Sequence, residues 1–245
     1  MASEAAGVDL TVLAAPAKLT VSLRVTGVRD DGYHLIDAEM VSLDLADELV
    51  VTEGDGFEVV EGHDLGFVHP EDNLVGRALR AVGRRAHVTL RKRIPAGGGL
   101  GGGSSNAAAI LRWADCDNLK IAETLGADVP FCLRGGHARV TGIGEILEPL
   151  PFEPRTITLA MPPYGCSTPA VYAAWDSLGG PTADGLNDLE PAALVVEPRM
   201  AAFRDAFGDA TGLTPQLAGS GSTWFVEGEF PGEGRIVTRT IPAYW

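Results

Sequence analysis

The segment Gly97-Gly98-Gly99-Leu100-Gly101-Gly102-Gly103-Ser104-Ser105 stands between an alternating stretch, Val88-Thr89-Leu90-Arg91, and a small-residue run, Asn106-Ala107-Ala108-Ala109-Ile110-Leu111. Six of its first seven positions are glycine. Without a Cβ, such backbone can approach a ligand closely and aim successive N–H groups at it. A helix beginning at Ser104 adds unpaired N–H donors and the positive end of its dipole. Together these describe a phosphate cradle. Ser104 and Ser105 are candidates for added hydroxyl donors or a water-mediated Mg²⁺ contact.

Three other readings fit less well. A Walker A loop ends in Gly-Lys-Ser/Thr, and Gly103 is followed directly by Ser104. A dinucleotide fingerprint can be spelled at Gly97, Gly99 and Gly102, but it needs a fully buried parallel strand before it. Arg91-Lys92-Arg93-Ile94-Pro95 is charged and ends in proline, as a half-solvated strand would. A flexible linker is usually flanked by polar residues, whereas this segment runs into an apolar helix. Arg77, Arg80, Arg84, Arg85, Arg91, Lys92 and Arg93 fall in a stretch without acids and hold seven of the 19 Lys and Arg residues. A basic island in an acidic chain would attract a polyphosphate, although each arginine alone reads equally well as a solvated helix face.

Outward from the loop, Leu10 to Leu49 is β-like. Val21, Leu23 and Val25 alternate with Ser22 and Arg24 as in a half-buried strand. Asp30-Asp31-Gly32 reads as a turn and Asp55-Gly56 as a hairpin turn. Leu74, Val75, Ala78, Leu79 and Val82 recur at helical spacing over 73–85, with Asp72 or Asn73 as cap. Ala138 to Leu147 reads as one strand, and the proline-rich Pro149 to Pro154 sets a boundary between 1–150 and 151–245. Beyond it, Val171–Trp175 and Pro198–Phe207 look helical, while Ile157–Met161, Trp224–Val226 and Ile236–Ile241 look like strands. Strands and helices that do not strictly alternate point to an α+β fold.

The formal charge of −14 on 245 residues disfavours nucleic acid and anionic membrane as partners. Cys116, Cys132 and Cys166 lack metal spacing and read as reduced thiols. His63, His69, His87 and His137 form no constellation, and no metal-ligating set is expected. With Glu4 and Asp9 near the start, no basic leader, and no run long enough to span a bilayer, a cytoplasmic location is expected.

At this point the chain resembles the GHMP kinases, the family of galactokinase and of homoserine, mevalonate and phosphomevalonate kinases. Gly97 to Asn106 is similar to that family's second motif. Ala15-Pro16-Ala17-Lys18-Leu19, Thr26 to His34, Leu125-Gly126-Ala127-Asp128-Val129-Pro130-Phe131, Asn187-Asp188-Leu189-Glu190-Pro191 and Ala218-Gly219-Ser220-Gly221-Ser222 resemble a member whose alcohol substrate carries a cytidine diphosphate group. The resemblance implies a two-lobed α+β fold with the active site between lobes, and ATP with its Mg²⁺ as the phosphoryl donor. It implies Asp128 as the group that takes the hydroxyl proton, with Lys18 beside it. It implies nucleotide contacts along Gly97–Asn106, with Lys92, Asn73 and Asn106 toward the adenine end. It implies a substrate pocket of Thr20, Tyr33, His34, Thr168, Pro169 and Tyr172, the two tyrosines stacking and His34 hydrogen-bonding. A small-molecule kinase of this kind is expected as a monomer or weak homodimer.

Read from the residues alone, Asp128 is equally a helix N-cap before Val129-Pro130, and Lys18 a snorkelling strand lysine. Two departures from the pattern stand out. Thr20 occupies a position where the family has asparagine, and 112–124 is short, which either re-aims Asp128 or trims a surface loop. Three readings stay open: the cytidyl-substrate kinase, another GHMP kinase acting on an alcohol such as mevalonate or homoserine, and a nucleotide-binding relative without turnover.

Overall fold

The structure, a computed structural model, describes residues 10–61 and 73–244. Glu4, Asp9, His63, His69 and Asp72, which entered the sequence reading, lie outside them.

Two long strands organise the molecule. β1 (Thr11–Val28) and β2 (His34–Thr52) form an antiparallel hairpin around the expected turn at Asp30-Asp31-Gly32, where Arg29 N–H donates to the Tyr33 carbonyl at 2.8 Å. β1 covers one edge of β2. The other edge is shared end to end by three strands. β4 (His87–Arg91) pairs with residues 48–52, β10 (Arg235–Ile241) with Ser42 and Leu43, and β5 (His137–Gly142) with residues 36–41. β10 also pairs with β7 (Thr156–Ala160), which carries the sheet on through β9 (Trp224–Glu227) to the short β8 (Gln216–Leu217).

Two expectations for this sheet are corrected. Asp55-Gly56 is not a hairpin turn. β3 (Gly56–Glu61) passes over to the far side of β4 and pairs with it in parallel, because β4 occupies the edge of β2 that a hairpin would need. Residues 138–147 are not one strand either. They break at Gly142–Glu145, with Gly142 at φ 74°, so that β6 (Ile146–Pro149) folds back on β5.

The middle of β1 is buried continuously from Ala15 to Val21, not on alternate residues. Both faces are covered: Ala17, Leu19 and Val21 meet Leu43, Ile157, Leu159 and Phe225 on one side, while Ala15 packs into the helical core on the other. A strand covered on both faces reads as a continuous apolar run.

That helical core centres on α2 (Gly102–Trp113), which packs against α1 (Leu74–Ala81), β1 and α4 (Val129–Arg134), with α3 (Leu119–Leu125) alongside. Residues 105–111 of α2 are buried, and the three alanines let neighbouring backbones come close. Ile110 and Leu111 at the centre each contribute roughly 1.5–3 kcal/mol of burial. α1 starts at Asn73, whose side chain accepts from Val75 N–H at 2.8 Å, and stops well short of Arg85, because Gly83 turns the chain at φ 64°. In the C-terminal part, α5 (Thr168–Ser177), α6 (Glu190–Val196) and α7 (Arg199–Thr211) cover the sheet. α4 begins where Val129-Pro130 suggested a helix start. The short α3, α6 and β8 are not signalled by the sequence, since each is too short for its periodicity to show.

Candidate active site

A cavity of about 650 Å³ opens between β1, the glycine loop, α4 and α5. Its walls include Lys18, Thr20, Tyr33, His34, Gly99, Gly101, Ser104, Asp128, Thr168, Pro169 and Tyr172, brought together from five separate stretches of sequence. Asp176, Gly219 and Ser220 also line it.

The loop is fastened to β1. Lys18 N–H donates to the Leu100 carbonyl at 3.0 Å, and Ser105 Oγ donates to the Pro16 carbonyl at 2.6 Å. Thr223 Oγ1 donates to the Gly98 carbonyl at 2.5 Å from the opposite side. Gly101 stands at the N-cap of α2 with φ 69°, and no side chain caps the helix. The N–H of Ser105 closes on the Gly101 carbonyl, so the donors of residues 102–104 precede the first helical bond.

Glycine at 101 and 102 is also a matter of room. A Cβ on Gly101 would lie 2.7 Å from Lys18 Cγ, and one on Gly102 would lie 2.7 Å from Lys92 Nζ. Two lysines therefore flank the start of α2. Their ammonium groups are held differently. Lys92 Nζ donates to Asp47 at 2.7 Å, and both side chains are buried. Asp47 also accepts from the N–H groups of Arg93 and Ile94 at 2.8 and 2.7 Å, which fixes the entry to the loop. Lys18 Nζ faces the cavity, 3.3 Å from Asp128 Oδ2 and 3.2 Å from Thr20 Oγ1.

Asp128 stands at the N-cap of α4 and makes no side-chain cap bond there. Its carboxylate turns to Lys18 and the cavity instead, so the residue occupies the cap position without capping. The 112–124 segment comprises the end of α2, a short connection and most of α3. Thr20, in the place of an asparagine, lines the cavity and accepts from Lys18.

At the other end of the cavity the chemistry is aromatic. Tyr172 and His34 stack with ring centroids 4.5 Å apart, and Trp175 meets His34 edge-on at 5.6 Å. His34 Nε2 donates to Asp176 Oδ1 at 2.8 Å, so the carboxylate fixes which imidazole nitrogen bears the proton. Tyr33 is 59% exposed at the rim, with the Arg29 guanidinium 6.0 Å from its ring centre. Burial, followed by the charge of Asp128, pushes the Tyr172 hydroxyl up to about 12. Thr168 and Ser220 hydroxyls bond across the rim at 2.7 Å.

Several expected residues lie off the cavity. Leu100 is a core side chain, and Ser105 is fully buried with its hydroxyl on Pro16. Gly97, Gly98, Gly102 and Gly103 lie along the loop but do not form the cavity wall; nor do Asn73, Lys92 and Asn106. Asn106 Oδ1 is buried without a partner among the described residues. The basic island is largely neutralised. Arg91 and Arg93 face Glu48, Lys92 faces Asp47 and Arg85 faces Asp55. The antiparallel register of β4 on β2 brings in Asp47 and Glu48, which no reading of 77–93 alone could show.

Sequence reasoning missed Asp176 as a site residue. Its signal was Tyr172 four residues earlier on one helix face. Asn187 and Asp188 are supports. Asn187 Nδ2 donates to the carbonyls of Leu217 and Gly219 at 2.8 and 2.7 Å, holding the 218–222 loop. Asp188 accepts from Arg24 Nη1 at 2.7 Å and Val25 N–H at 3.0 Å, tying this part to β1. His137 is likewise structural, between Glu39 at 2.9 Å and the Pro151 carbonyl at 2.8 Å.

The GHMP kinases N terminal domain matches residues 73–136. The 4-diphosphocytidyl-2-C-methyl-D-erythritol kinase of Paracoccus denitrificans is 40% identical over 256 residues, covering 95% of this chain and 93% of that protein. The chain belongs to the 4-diphosphocytidyl-2-C-methyl-D-erythritol kinase family of GHMP kinases. The Ruegeria pomeroyi member of this kinase family is also 40% identical, over 94% of this chain and 95% of its own. A crystal structure of a 4-(cytidine 5'-diphospho)-2C-methyl-D-erythritol kinase superposes with a TM-score of 0.73 at 31% identity, covering 94% of this chain and 99% of that one. The two-lobed GHMP kinase fold expected from the sequence is therefore present, as an α+β arrangement.

Proposed function

We infer that this chain transfers the γ-phosphate of ATP to the 2-hydroxyl of 4-diphosphocytidyl-2-C-methyl-D-erythritol, a step of non-mevalonate isoprenoid precursor synthesis. One observation carries the reading. Lys18 and Asp128, 3.3 Å apart, face the same cavity as Gly99, Gly101 and Ser104 at one end and Tyr33, His34 and Tyr172 at the other. An anion site, a carboxylate–ammonium pair and an aromatic clamp in that order match a nucleotide, an alcohol and a pyrimidine.

In the proposed reaction Asp128 accepts the hydroxyl proton as the alcohol oxygen forms its bond to the γ-phosphorus and ADP leaves. Lys18 offsets charge on the carboxylate and the incoming oxygen. The free N–H groups at the start of α2 take the phosphate oxygens. Mg²⁺ would travel with ATP, and the Ser104 hydroxyl at the cavity wall is a hard oxygen donor suited to it, directly or through water; bound there, it would neutralise phosphate charge. Lys92, Asn73 and Asn106 are assigned to the nucleotide, with Lys92 acting from beside Gly102. Tyr33 and Tyr172 are assigned to the cytosine faces and His34 to its polar edge. Thr20, Thr168 and Pro169 shape the pocket. The lobes are 1–150 and 151–245, and the enzyme is assigned to the cytoplasm as a monomer or weak homodimer. Among the described residues, no helix is long and apolar enough to cross a membrane.

The test is ADP release measured with the cytidyl diphosphate methylerythritol substrate, run in parallel with Asp128→Asn. Turnover that depends on this substrate and falls steeply in the variant supports the reading. Equal rates in both proteins remove Asp128 as the base, and no turnover in either points to a non-catalytic relative.

A further inference from the structure

Three parts of the site are carried by three different elements: the anion donors by α2, Lys18 by β1 and Asp128 by α4. Beyond the cavity, one side chain joins all three. Arg112 lies in the last turn of α2, at the opposite end from the glycine loop. Its Nη1 donates to the Cys132 carbonyl of α4 at 2.6 Å, and its Nη2 to the Ala14 carbonyl of β1 at 3.3 Å. Ala14 is four residues before Lys18, and Cys132 four residues after Asp128. Cys132 N–H in turn donates to the Asp128 carbonyl at 3.0 Å, so the bridge reaches the base through one helical turn. α4 has six residues, and its final carbonyls lack partners within the helix. Arg112 supplies one of them.

The C-terminus covers this bridge. After β10, Ala243 pairs with Gly135 directly after α4, and Tyr244 N–H donates to the Arg134 carbonyl at 3.4 Å. The Tyr244 ring lies on the Arg112 guanidinium, 4.1 Å from ring centre to guanidinium carbon. Glycine at 135 makes room for it. A Cβ there would lie 2.5 Å from the ring, and φ is 71°. A planar guanidinium is suited to such a position, since it can hydrogen-bond in its plane while an aromatic face covers it.

We propose that Tyr244 and Arg112 are positioning residues, forming a C-terminal brace that sets the distance between Asp128 and Lys18. The inference rests on the assignment of Asp128 as the base. Neither residue touches the cavity, so neither contributes to binding ATP or the cytidyl substrate. Loosening the brace lets α4 drift relative to β1, and small misplacements of a reacting group are costly in rate.

The test compares kcat and KM for Tyr244→Ala, Tyr244→Phe and Arg112→Lys, each also built into the Asp128→Asn background, with thermal midpoints measured for all. Tyr244→Ala and Arg112→Lys are expected to lower kcat about tenfold or more with both KM values within about twofold. Tyr244→Phe, which keeps the covering face, is expected to restore the parent rate. In Asp128→Asn the Tyr244→Ala change is expected to have no further effect, because the group it positions is gone. Parent kcat in Tyr244→Ala, or a loss of equal size in both backgrounds, overturns the brace. If Tyr244→Ala does not fold, Arg112→Lys carries the same two criteria. An Asp128→Asn protein with full activity fails the base assignment itself, a result visible without any change at 244.

Discussion

The two ends of the cavity are built by different means. At the end proposed to hold phosphate the donors are backbone N–H groups, supplied by one unbroken stretch, and hydrogen bonds from Lys18, Ser105 and Thr223 clamp that stretch in place. At the aromatic end the backbone contributes little. Side chains from positions 33–34 and from α5 meet only because the fold brings them together. A backbone site tolerates no Cβ but is indifferent to distant sequence. A side-chain site tolerates small backbone changes but fails if one helix rotates. The proposed catalytic pair, Lys18 and Asp128, sits where these two constructions meet, one member on each of two elements.

The largest effect expected is at that junction. Lys18→Met should lower kcat by about 10²–10³, because the ammonium beside Asp128 and the incoming oxygen is lost. A loss confined to KM would mean that the lysine only binds substrate. Next comes the backbone construction. Gly101→Ala places a methyl in the space of Lys18 at a φ of 69°, a strain of about 1–3 kcal/mol. It should raise the KM for ATP and lower the thermal midpoint together, while leaving binding of a cytidine nucleotide unchanged. Binding that weakens for both ligands equally would break the separation between the ends.

The aromatic end should respond in the opposite sense. Tyr172→Ala removes the ring stacked on His34 and should raise the KM for the cytidyl substrate about tenfold, the scale of one base–aromatic stack, with the KM for ATP unaffected. Asp176→Asn should act in the same direction but less, since it frees the His34 tautomer without removing a ring. Steady-state kinetics with each substrate varied in turn distinguish these outcomes.

The smallest effect concerns pH. The Tyr172 hydroxyl is raised to about 12 by burial and then by Asp128, and that of Tyr244 to about 12 by burial, with Arg112 opposing. A phenol whose folded value lies above its ordinary value near 10 contributes stability that is complete below pH 10 and is lost as pH rises toward 12. Denaturation midpoints should be flat across neutral pH and fall above pH 10, and Tyr172→Phe should make that fall shallower.

The difference between the ends also explains what could be read from the chain. The glycine loop and α2 were legible because backbone chemistry is local. Strand, loop and helix follow one another, and each glycine reports on its own position. Tyr33, His34 and Tyr172 were named through resemblance to a family, not through any property of their own. Asp176 passed unnoticed because its meaning depends on a histidine far away in sequence. The acids facing Arg91, Lys92 and Arg93 were hidden for the same reason, since strand register delivers them. Pairing partners failed where an edge was already taken, as at Asp55-Gly56. At β1 the alternation of Val21 and Leu23 with Ser22 and Arg24 was legible, while the continuous burial of Ala15 to Val21 was not, because one covering layer comes from residues 157–159 and Phe225.

The shared edge of β2 has a consequence for biosynthesis. Ser42 and Leu43, between the segments held by β4 and β5, gain their partners from Ile241 and Thr240. β10 lies far downstream of β2 in the chain, and synthesis runs from the N-terminus. Until β10 is made, β2 around Leu43 lacks its partner strand between two finished ladders, a template for another chain's strand. Chains truncated before Arg235 should therefore aggregate instead of yielding a shortened enzyme.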